Sequence, residues 1–92
     1  MIRTFRHRDL ERFFRRSEDR RIPAEHRERL KRLLDRLDAA ARPEDMHLPG
    51  YDFHRLHGNR RGTYAVKVSG NWRLTFRFDG EGATHVNLED YH

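Results

Sequence analysis

The stretch that decides the fold is residues 54–78, HRLHGNRRGTYAVKVSGNWRLTFRF. Two runs with a period of two flank the turn Ser69-Gly70-Asn71, and strict alternation of this kind indicates half-buried antiparallel strands. One face is apolar and consists of Tyr64, Val66, Val68, Trp72, Leu74, Phe76 and Phe78. The opposite face of the second run consists of Arg73, Thr75 and Arg77. We therefore expect a sheet with one face in a core and one polar, cationic face.

Outward from this hairpin, the chain changes from helical patterns to strand patterns. Apolar residues at spacings of three and four predict helices over residues 9–16 and 23–41. Strands are predicted over residues 2–5, 51–57, 63–69, 71–79 and 83–90. Two helices with few leucines cannot form a core alone, so they must cover one face of the sheet and leave the other open. The predicted fold class is α+β, a small antiparallel β-sheet covered on one face by two N-terminal helices, in a single domain over residues 1–92.

The composition limits the classes of protein to consider. Of 92 residues, 35% are hydrophobic and 38% are charged, and no cysteine is present to form a disulfide or a thiolate metal site. No apolar run approaches the roughly 20 residues that cross a bilayer. The N-terminus lacks the apolar segment of a signal peptide. We expect a cytoplasmic protein that does not enter a membrane.

The net charge of +5 is concentrated in the first part of the chain. Residues 1–36 carry 13 Lys+Arg against 7 Asp+Glu, and residues 37–92 carry 7 against 8. Arginine supplies nearly all of this positive charge, and its guanidinium binds phosphate or carboxylate through two hydrogen bonds. A polyanion or an acidic protein is therefore a natural partner, although a solvated helix face would have the same composition.

Hairpin pairing brings together residues that could cleave RNA without a metal. They are His54, His57, Arg73 and the last three residues, Asp90, Tyr91 and His92. In such a reaction the 2′-hydroxyl of the substrate is the nucleophile, so the protein must supply a base, an acid and a cation for the phosphate. Imidazole, with a reference pKa of about 6.5, suits both proton roles. Arginine suits the third role.

Each of these residues alone also has an ordinary structural interpretation. A single histidine on a strand is usually a half-exposed spacer, Arg73 fits the solvated half of the alternation, and chain ends often fray. Asp90 would form an ordinary surface ion pair with Arg73 or Arg77. Asn59, Arg60 and Arg61 lie in a glycine-bounded loop and either contact phosphate or decorate a turn. That loop lacks the ending of a P-loop, and His54 and His57 would point to opposite faces of a strand, which disfavours a metal site.

Four segments resemble the HigB toxins of the RelE/ParE superfamily. They are Ile2-Arg3-Thr4-Phe5-Arg6-His7, the block from Leu56 to Tyr64, the block from Val68 to Phe76, and Glu89-Asp90-Tyr91-His92. The resemblance implies a RelE-like, microbial-RNase-like fold and a ribosome-dependent endoribonuclease that needs no cofactor. It also implies an antitoxin with a helix-turn-helix domain (HigA-like) as the partner.

The resemblance implies roles for individual residues as well. His54, Asp90, Tyr91 and His92 match catalytic positions of the family, and Arg73 matches the arginine that holds the scissile phosphate. His57 stands where the family often has lysine, which would give a phosphate less positive charge at neutral pH. With Arg60 and Arg61, His57 completes the predicted substrate-binding set. His54 and His92 are not separated as the proton-transfer group.

The resulting hypothesis is a type II toxin that cuts mRNA in the A site of the 70S ribosome. Its arginine-rich helices would dock on ribosomal RNA. The alternative is a non-enzymatic interaction module on the same scaffold, which inhibits a target by contact, as ParE relatives do, or binds an antitoxin. A double-stranded-DNA-binding domain is the weakest interpretation, because the sequence contains no recognition-helix motif.

Overall fold

A computed structural model describes residues 1–91. Two α-helices precede the sheet, α1 over Arg8–Arg16 and α2 over Ala24–Ala39. Four strands follow, β1 over His54–Arg55, β2 over Thr63–Ser69, β3 over Trp72–Asp79 and β4 over Gly82–Asp90. Short 3-10 helices, Pro43–Met46 and Gly58–Arg60, lie before and after β1. The sequence patterns therefore predict both helices and β2–β4 to within two residues at each end, and the α+β fold class is confirmed.

The helices begin and end where local chemistry directs. His7 caps α1 because its Nδ1 accepts a hydrogen bond from the Leu10 amide at 3.1 Å. Ser17, in the left-handed conformation, ends the helix, and its amide donates to the Phe13 carbonyl. The stripe on α2 is buried as the spacing predicts, with Leu30, Leu33, Leu34 and Leu37 fully covered. This stripe packs against β2 and β4.

The sheet is antiparallel, and its strands lie in chain order β1-β2-β3-β4. One row across it pairs His54 with Ala65, Ala65 with Thr75, and Thr75 with Asn87. The register between β3 and β4 shifts beyond Thr75, and His85 opposite this point has a φ of 54°. This is the signature of a β-bulge, which bends β4 at mid-strand.

Two of the predicted strands are wrong in extent. Residues 2–5 make no strand of their own and instead form two isolated parallel bridges to β4, at Ile2–Ala83 and Phe5–Val86. The strand predicted over residues 51–57 is reduced to His54–Arg55. Asp52 takes a φ of 51°, which breaks an extended conformation before the ladder with β2 begins.

The two faces of the sheet have different surroundings. Below it, the helices enclose a core that contains Val66, Leu74, Phe76 and Val86 of the sheet. The other side, which we call the open face, is covered by neither α-helix within residues 1–91, and the 3-10 helix Gly58–Arg60 reaches it through Arg60. Because residues paired across antiparallel strands share a face, the open face includes His54, Thr63, Lys67, Arg73, Thr75, Arg77, Asn87 and Glu89. Within residues 1–91, neither helix is long and apolar enough to span a bilayer.

Candidate active site

A hydrogen-bonded network centred on Glu89 lies in the middle of the open face. Arg60, from the 3-10 helix after β1, donates from Nη1 to Oε1 at 2.8 Å and from Nη2 to Oε2 at 2.6 Å. The Thr75 hydroxyl donates a short hydrogen bond to Oε2. The Glu89 side chain is 20% exposed, so the pair lies largely out of water. Such a two-pronged contact fixes the plane and direction of the guanidinium.

The protonation states of this pair follow from the contact. The hydrogen bond from Arg60 holds the pKa of Glu89 below its ordinary value of 4.5, assisted by Thr75 and opposed by burial. In return, the hydrogen bond to Glu89 raises the pKa of Arg60. Glu89 is therefore a carboxylate at neutral pH and neutralises Arg60. It is not a candidate general acid.

His54 and Tyr91 approach each other although 36 residues separate them in sequence. Their ring centroids are 6.4 Å apart. Tyr91 continues the pairing of β4, because its amide donates to the Asn71 carbonyl at 2.8 Å. His54 also lies in the same row of the sheet as Thr75, whose hydroxyl is bonded to Glu89. The imidazole, with the phenol beside it, and the Arg60–Glu89 pair thus share one region of the open face.

The tautomer of neutral His54 follows from its own hydrogen bond. Nδ1 lies 2.9 Å from the Asp52 carbonyl oxygen. A carbonyl oxygen can only accept, so this contact requires a proton on Nδ1. In the neutral ring, Nε2 is then the nitrogen with an unshared electron pair, which is the state that a general base needs.

Arg73 lies on the open face but binds its own hairpin. Its Nη1 donates to the Gly70 carbonyl at 2.7 Å and to the Trp72 carbonyl at 3.2 Å. Its Nε is buried and has no hydrogen-bond partner among the described residues. The predicted phosphate-binding arginine is therefore next to the site, held at the turn between β2 and β3.

The terminal residues divide between the two faces. Asp90 is paired with Trp72, one position along from the pair Arg73–Glu89. Because side chains alternate along a strand, Asp90 is directed to the face opposite Glu89 and Arg73. His92, also predicted as catalytic, lies outside the described residues.

The predicted substrate-binding residues come from the loop over Gly58–Gly62. His57 is exposed and precedes the 3-10 helix, while Arg61 is exposed and follows it. Arg60 alone turns toward the sheet. Of this set, the fold brings Arg60 to the centre of the open face and leaves His57 and Arg61 at its rim.

Glu89 and Thr75 are absent from the predicted site residues. Thr75 follows the polar alternation of β3 and is 1% exposed, so it had to be satisfied by a partner within the protein. One signal in the sequence could have identified Thr75: it is an uncharged polar residue between Arg73 and Arg77 on the same face of β3. Glu89 carried no comparable signal, because its partner is 29 residues away.

The described residues contain no group of three or more His, Cys, Asp or Glu side chains arranged to hold a metal ion.

Comparisons with known proteins agree with the α+β fold. The family model for HigB-like toxin, the RelE-like toxin of type II toxin-antitoxin systems, matches residues 3–92. The chain is 34% identical to Endoribonuclease HigB of Proteus vulgaris over the full length of both chains. It is also 34% identical to Toxin HigB-1 of Vibrio cholerae serotype O1, over 99% of this chain and 98% of the relative. The chain belongs to the HigB-like toxins.

Proposed function

We propose that this toxin is a metal-independent endoribonuclease that cuts mRNA in the ribosomal A site. The naming of the Proteus vulgaris relative as an endoribonuclease supports the class of reaction. The observation that carries the proposal is His54, held by the Asp52 carbonyl with Nε2 as its basic nitrogen, beside Tyr91 on a face that neither α-helix covers within residues 1–91. An RNA strand can lie across such a face.

In the proposed reaction, Nε2 of His54 accepts the proton of the 2′-hydroxyl. The 2′-oxygen attacks the adjacent phosphorus, the bond from phosphorus to the 5′-oxygen breaks, and the leaving 5′-oxygen takes up a proton from the solvent, to which His54 later returns the proton that it accepted. The product is a 2′,3′-cyclic phosphate, which water can open to a 3′-phosphate. His92 is the alternative proton-transfer group. Asp90 stays in the proposed catalytic set, although the alternation along β4 directs its side chain to the opposite face.

Cations balance the charge that builds on the phosphate. Arg73 is proposed for this role: its unpaired Nε already lacks a partner, so turning from the Gly70 carbonyl to a phosphate would satisfy it. Arg60 is neutralised by Glu89 and acts mainly as a rigid wall. Tyr91, half-exposed, is suited to orient a base or stack on it. His57 and Arg61 would contact the strand at the rim.

Membership of a type II system implies an antitoxin as a partner. We propose that it resembles HigA, with a helix-turn-helix domain, and that the arginine-rich helices of the toxin contact ribosomal RNA. Both proposals place the protein in the cytoplasm.

The sharpest test keeps the ribosome intact and changes the mRNA. A programmed ribosome carries an A-site codon in which the nucleotide before the cut has a 2′-deoxyribose. Because the proposed nucleophile is absent, this mRNA should resist cleavage, while the ribose version is cut and ends in a cyclic or 3′-phosphate. Cleavage of the deoxy mRNA would refute the mechanism, because it requires an external water as nucleophile.

A non-enzymatic toxin is the second candidate, and the position of Arg73 favours it. The guanidinium is bonded to its own turn and Asp90 is directed to the other face. Two measurements separate the candidates: growth of cells that express the protein, and mapping of mRNA ends in translating extracts. Growth inhibition without new mRNA ends would support this module and reject the nuclease.

A further inference from the structure

A pocket of about 170 Å³ opens on the open face beside the candidate active site. We call it the basic pocket. Its walls include Arg6, Asn59, Arg77, His85 and the Arg60–Glu89 pair. These residues come from four segments: the N-terminal segment, the loop over Gly58–Gly62, β3 and β4. Within residues 1–91, no hydrogen bond, ion pair or ring contact joins these four residues, Arg6, Asn59, Arg77 and His85, to His54 or Tyr91.

The pocket holds positive charge that the protein does not neutralise. Glu89 is already bound by Arg60 through both oxygens. Within residues 1–91, the Arg6 guanidinium makes no hydrogen bond or ion pair, while the Arg6 backbone amide is fixed to the Val86 carbonyl at 2.8 Å. Among the described residues, Arg77 makes one long contact, from Nη2 to the Arg61 carbonyl at 3.4 Å, and no ion pair. Two guanidinium groups therefore converge with one carboxylate that is already paired.

Gly62 leaves the space that the Arg77 guanidinium occupies. Gly62 has a φ of 91°, a conformation that side chains rarely adopt. A Cβ on Gly62 would lie 2.9 Å from Nη2 of Arg77, closer than real Cβ contacts come. The loop thus lets the guanidinium lie directly over its backbone. This arrangement limits the positions that Arg77 can take and directs it beside the pocket.

The pocket and the candidate active site share one wall. Arg60 and Glu89 line the pocket, and the same two side chains form the network at the centre of the candidate active site. A strand whose scissile phosphate lies at His54 and Tyr91 would cross this pair to reach Arg6 and Arg77. Within residues 1–91, the imidazole of His85 is the one ring in the wall, and no Phe, Tyr or Trp offers a larger platform for a base. Paired guanidinium groups instead match the oxygens of phosphate.

We propose that the basic pocket binds a phosphodiester next to the one that is cleaved, on the same RNA strand. This inference rests on the proposed endoribonuclease function and adds a second phosphate subsite to it. Arg6 and Arg77 bind the phosphate, and the Arg60–Glu89 pair separates it from the reacting phosphate. The contact is independent of base identity, so it contributes affinity and register rather than sequence preference.

The test measures binding without cleavage. A short single-stranded oligonucleotide carries 2′-O-methyl groups throughout, and its phosphates are replaced one at a time by neutral methylphosphonate. For the native protein, replacing the phosphate that occupies the pocket should weaken binding by about fivefold. The same replacement should reduce by about 0.7 the magnitude of the slope of log association constant against log salt concentration, the value for one phosphate contact on a single strand. In the double variant that carries both Arg6→Ala and Arg77→Ala, the same methylphosphonate replacement should not change the affinity for the oligonucleotide.

Arg36→Ala provides the matched control. Arg36 is an exposed arginine of α2, on the helix side of the sheet, so its loss removes a charge away from the pocket. This variant should retain the response to the methylphosphonate. Arg77→Gln removes the charge but keeps a shorter polar side chain. Together with thermal melting of each variant, it separates loss of charge from loss of fold.

Two results would overturn the subsite. One is equal affinity of the native protein for every methylphosphonate oligonucleotide, and the other is an equal response in native and double-variant proteins. Neither result depends on catalysis. If the native protein failed to cut ribosome-bound mRNA while the methylphosphonate effect persisted, the proposed function would fail and the phosphate site would stand.

Discussion

At the scale of single residues, Glu89 is the side chain on which the open face most depends. It fixes Arg60 and satisfies the buried Thr75 hydroxyl. Replacing it by Gln retains the size but leaves Arg60 without its counter-charge. We expect Glu89→Gln to lower the free energy of unfolding by about 1–2 kcal/mol at neutral pH, a range for a partly exposed charged hydrogen bond. Urea denaturation measures this change.

The same contact predicts a pH dependence. Because the Glu89 pKa is lowered on folding, its stabilisation is present above its ordinary value of 4.5 and is lost as the pH falls through the folded value. The stability of Glu89→Gln and of the native protein should therefore converge under acid conditions. Glu44→Gln is the control: the pKa of Glu44 is also lowered, by a backbone hydrogen bond and by Arg55, but the Glu44–Arg55 pair is exposed and screened by water, so this substitution should change stability much less. Plots of unfolding free energy against pH that stay parallel down to acid pH, for the native protein and Glu89→Gln, would contradict this account.

His54 allows a direct test of chemistry at one side chain. If its Nε2 is the general base, His54→Ala should reduce mRNA cleavage on the ribosome by about 100-fold or more, the usual contribution of such a group. The melting temperature should change little, because the ring is partly exposed and bonded only to the Asp52 carbonyl.

His47→Ala is the matched control for that variant. His47 is also exposed, but it stacks on Phe53, which in turn stacks on Tyr64 of the core side. Its loss should leave cleavage unchanged. Native rates in His54→Ala would remove this residue from the catalytic set.

At the scale of elements, the N-terminal segment replaces a predicted strand. Residues 2–5 have the composition of a strand, but their bridges to β4 are parallel and only two in number. Gly82 allows this approach: a Cβ there would lie 2.1 Å from the Met1 carbonyl oxygen. The segment is thereby held against β4 and carries Arg6 to the basic pocket.

Gly82→Ala should therefore release the segment. We expect a loss of about 2 kcal/mol or more in the free energy of unfolding, since a forced overlap with backbone costs more than repacking a side chain. Gly80→Ala, in the same turn, meets no atom within 4 Å and should change stability by less than about 1 kcal/mol. Equal effects of the two substitutions, measured by chemical denaturation, would show that the close approach is unimportant.

The accuracy of the sequence predictions also differs between elements. Periodicity predicts α2 and β2–β4 because burial of one face sets their patterns. It fails for β1, where a single residue, Asp52, adopts a positive φ that no pattern reveals. The contact between Arg60 and Glu89 was not predicted for a related reason. It depends on a 3-10 turn at Gly58–Arg60, and short turns of this kind have no periodic signal.

At the scale of the whole molecule, charge is divided between the two parts of the chain. Residues 1–36 carry the positive excess, part of it on the two helices, which cover the side away from the open face, and part in the N-terminal segment, where Arg6 lines the basic pocket. If this side docks on ribosomal RNA, affinity should fall with salt in proportion to the phosphates contacted. Catalysis and docking would then use opposite sides of the sheet.

Paired substitutions test this division. Arg20→Ala with Arg21→Ala, in the exposed connection between α1 and α2, should weaken ribosome binding and reduce its salt slope. Arg42→Ala with Arg55→Ala removes the same charge beyond residue 36, from side chains already paired with Asp45 and Glu44. This control should bind nearly as the native protein does. Equal slopes for the two double variants, measured by filter binding at several salt concentrations, would argue against helix docking.

The bridges between the N-terminal segment and β4 also govern how a newly made chain matures. The His85 amide donates to the Thr4 hydroxyl across 81 residues of sequence, and ordering so long a loop slows folding. During translation, the leucines of α2 emerge well before the strands that cover them. The nascent chain therefore waits with its apolar stripe uncovered until β4 leaves the ribosome, and a chaperone that shields such stripes has this interval in which to act.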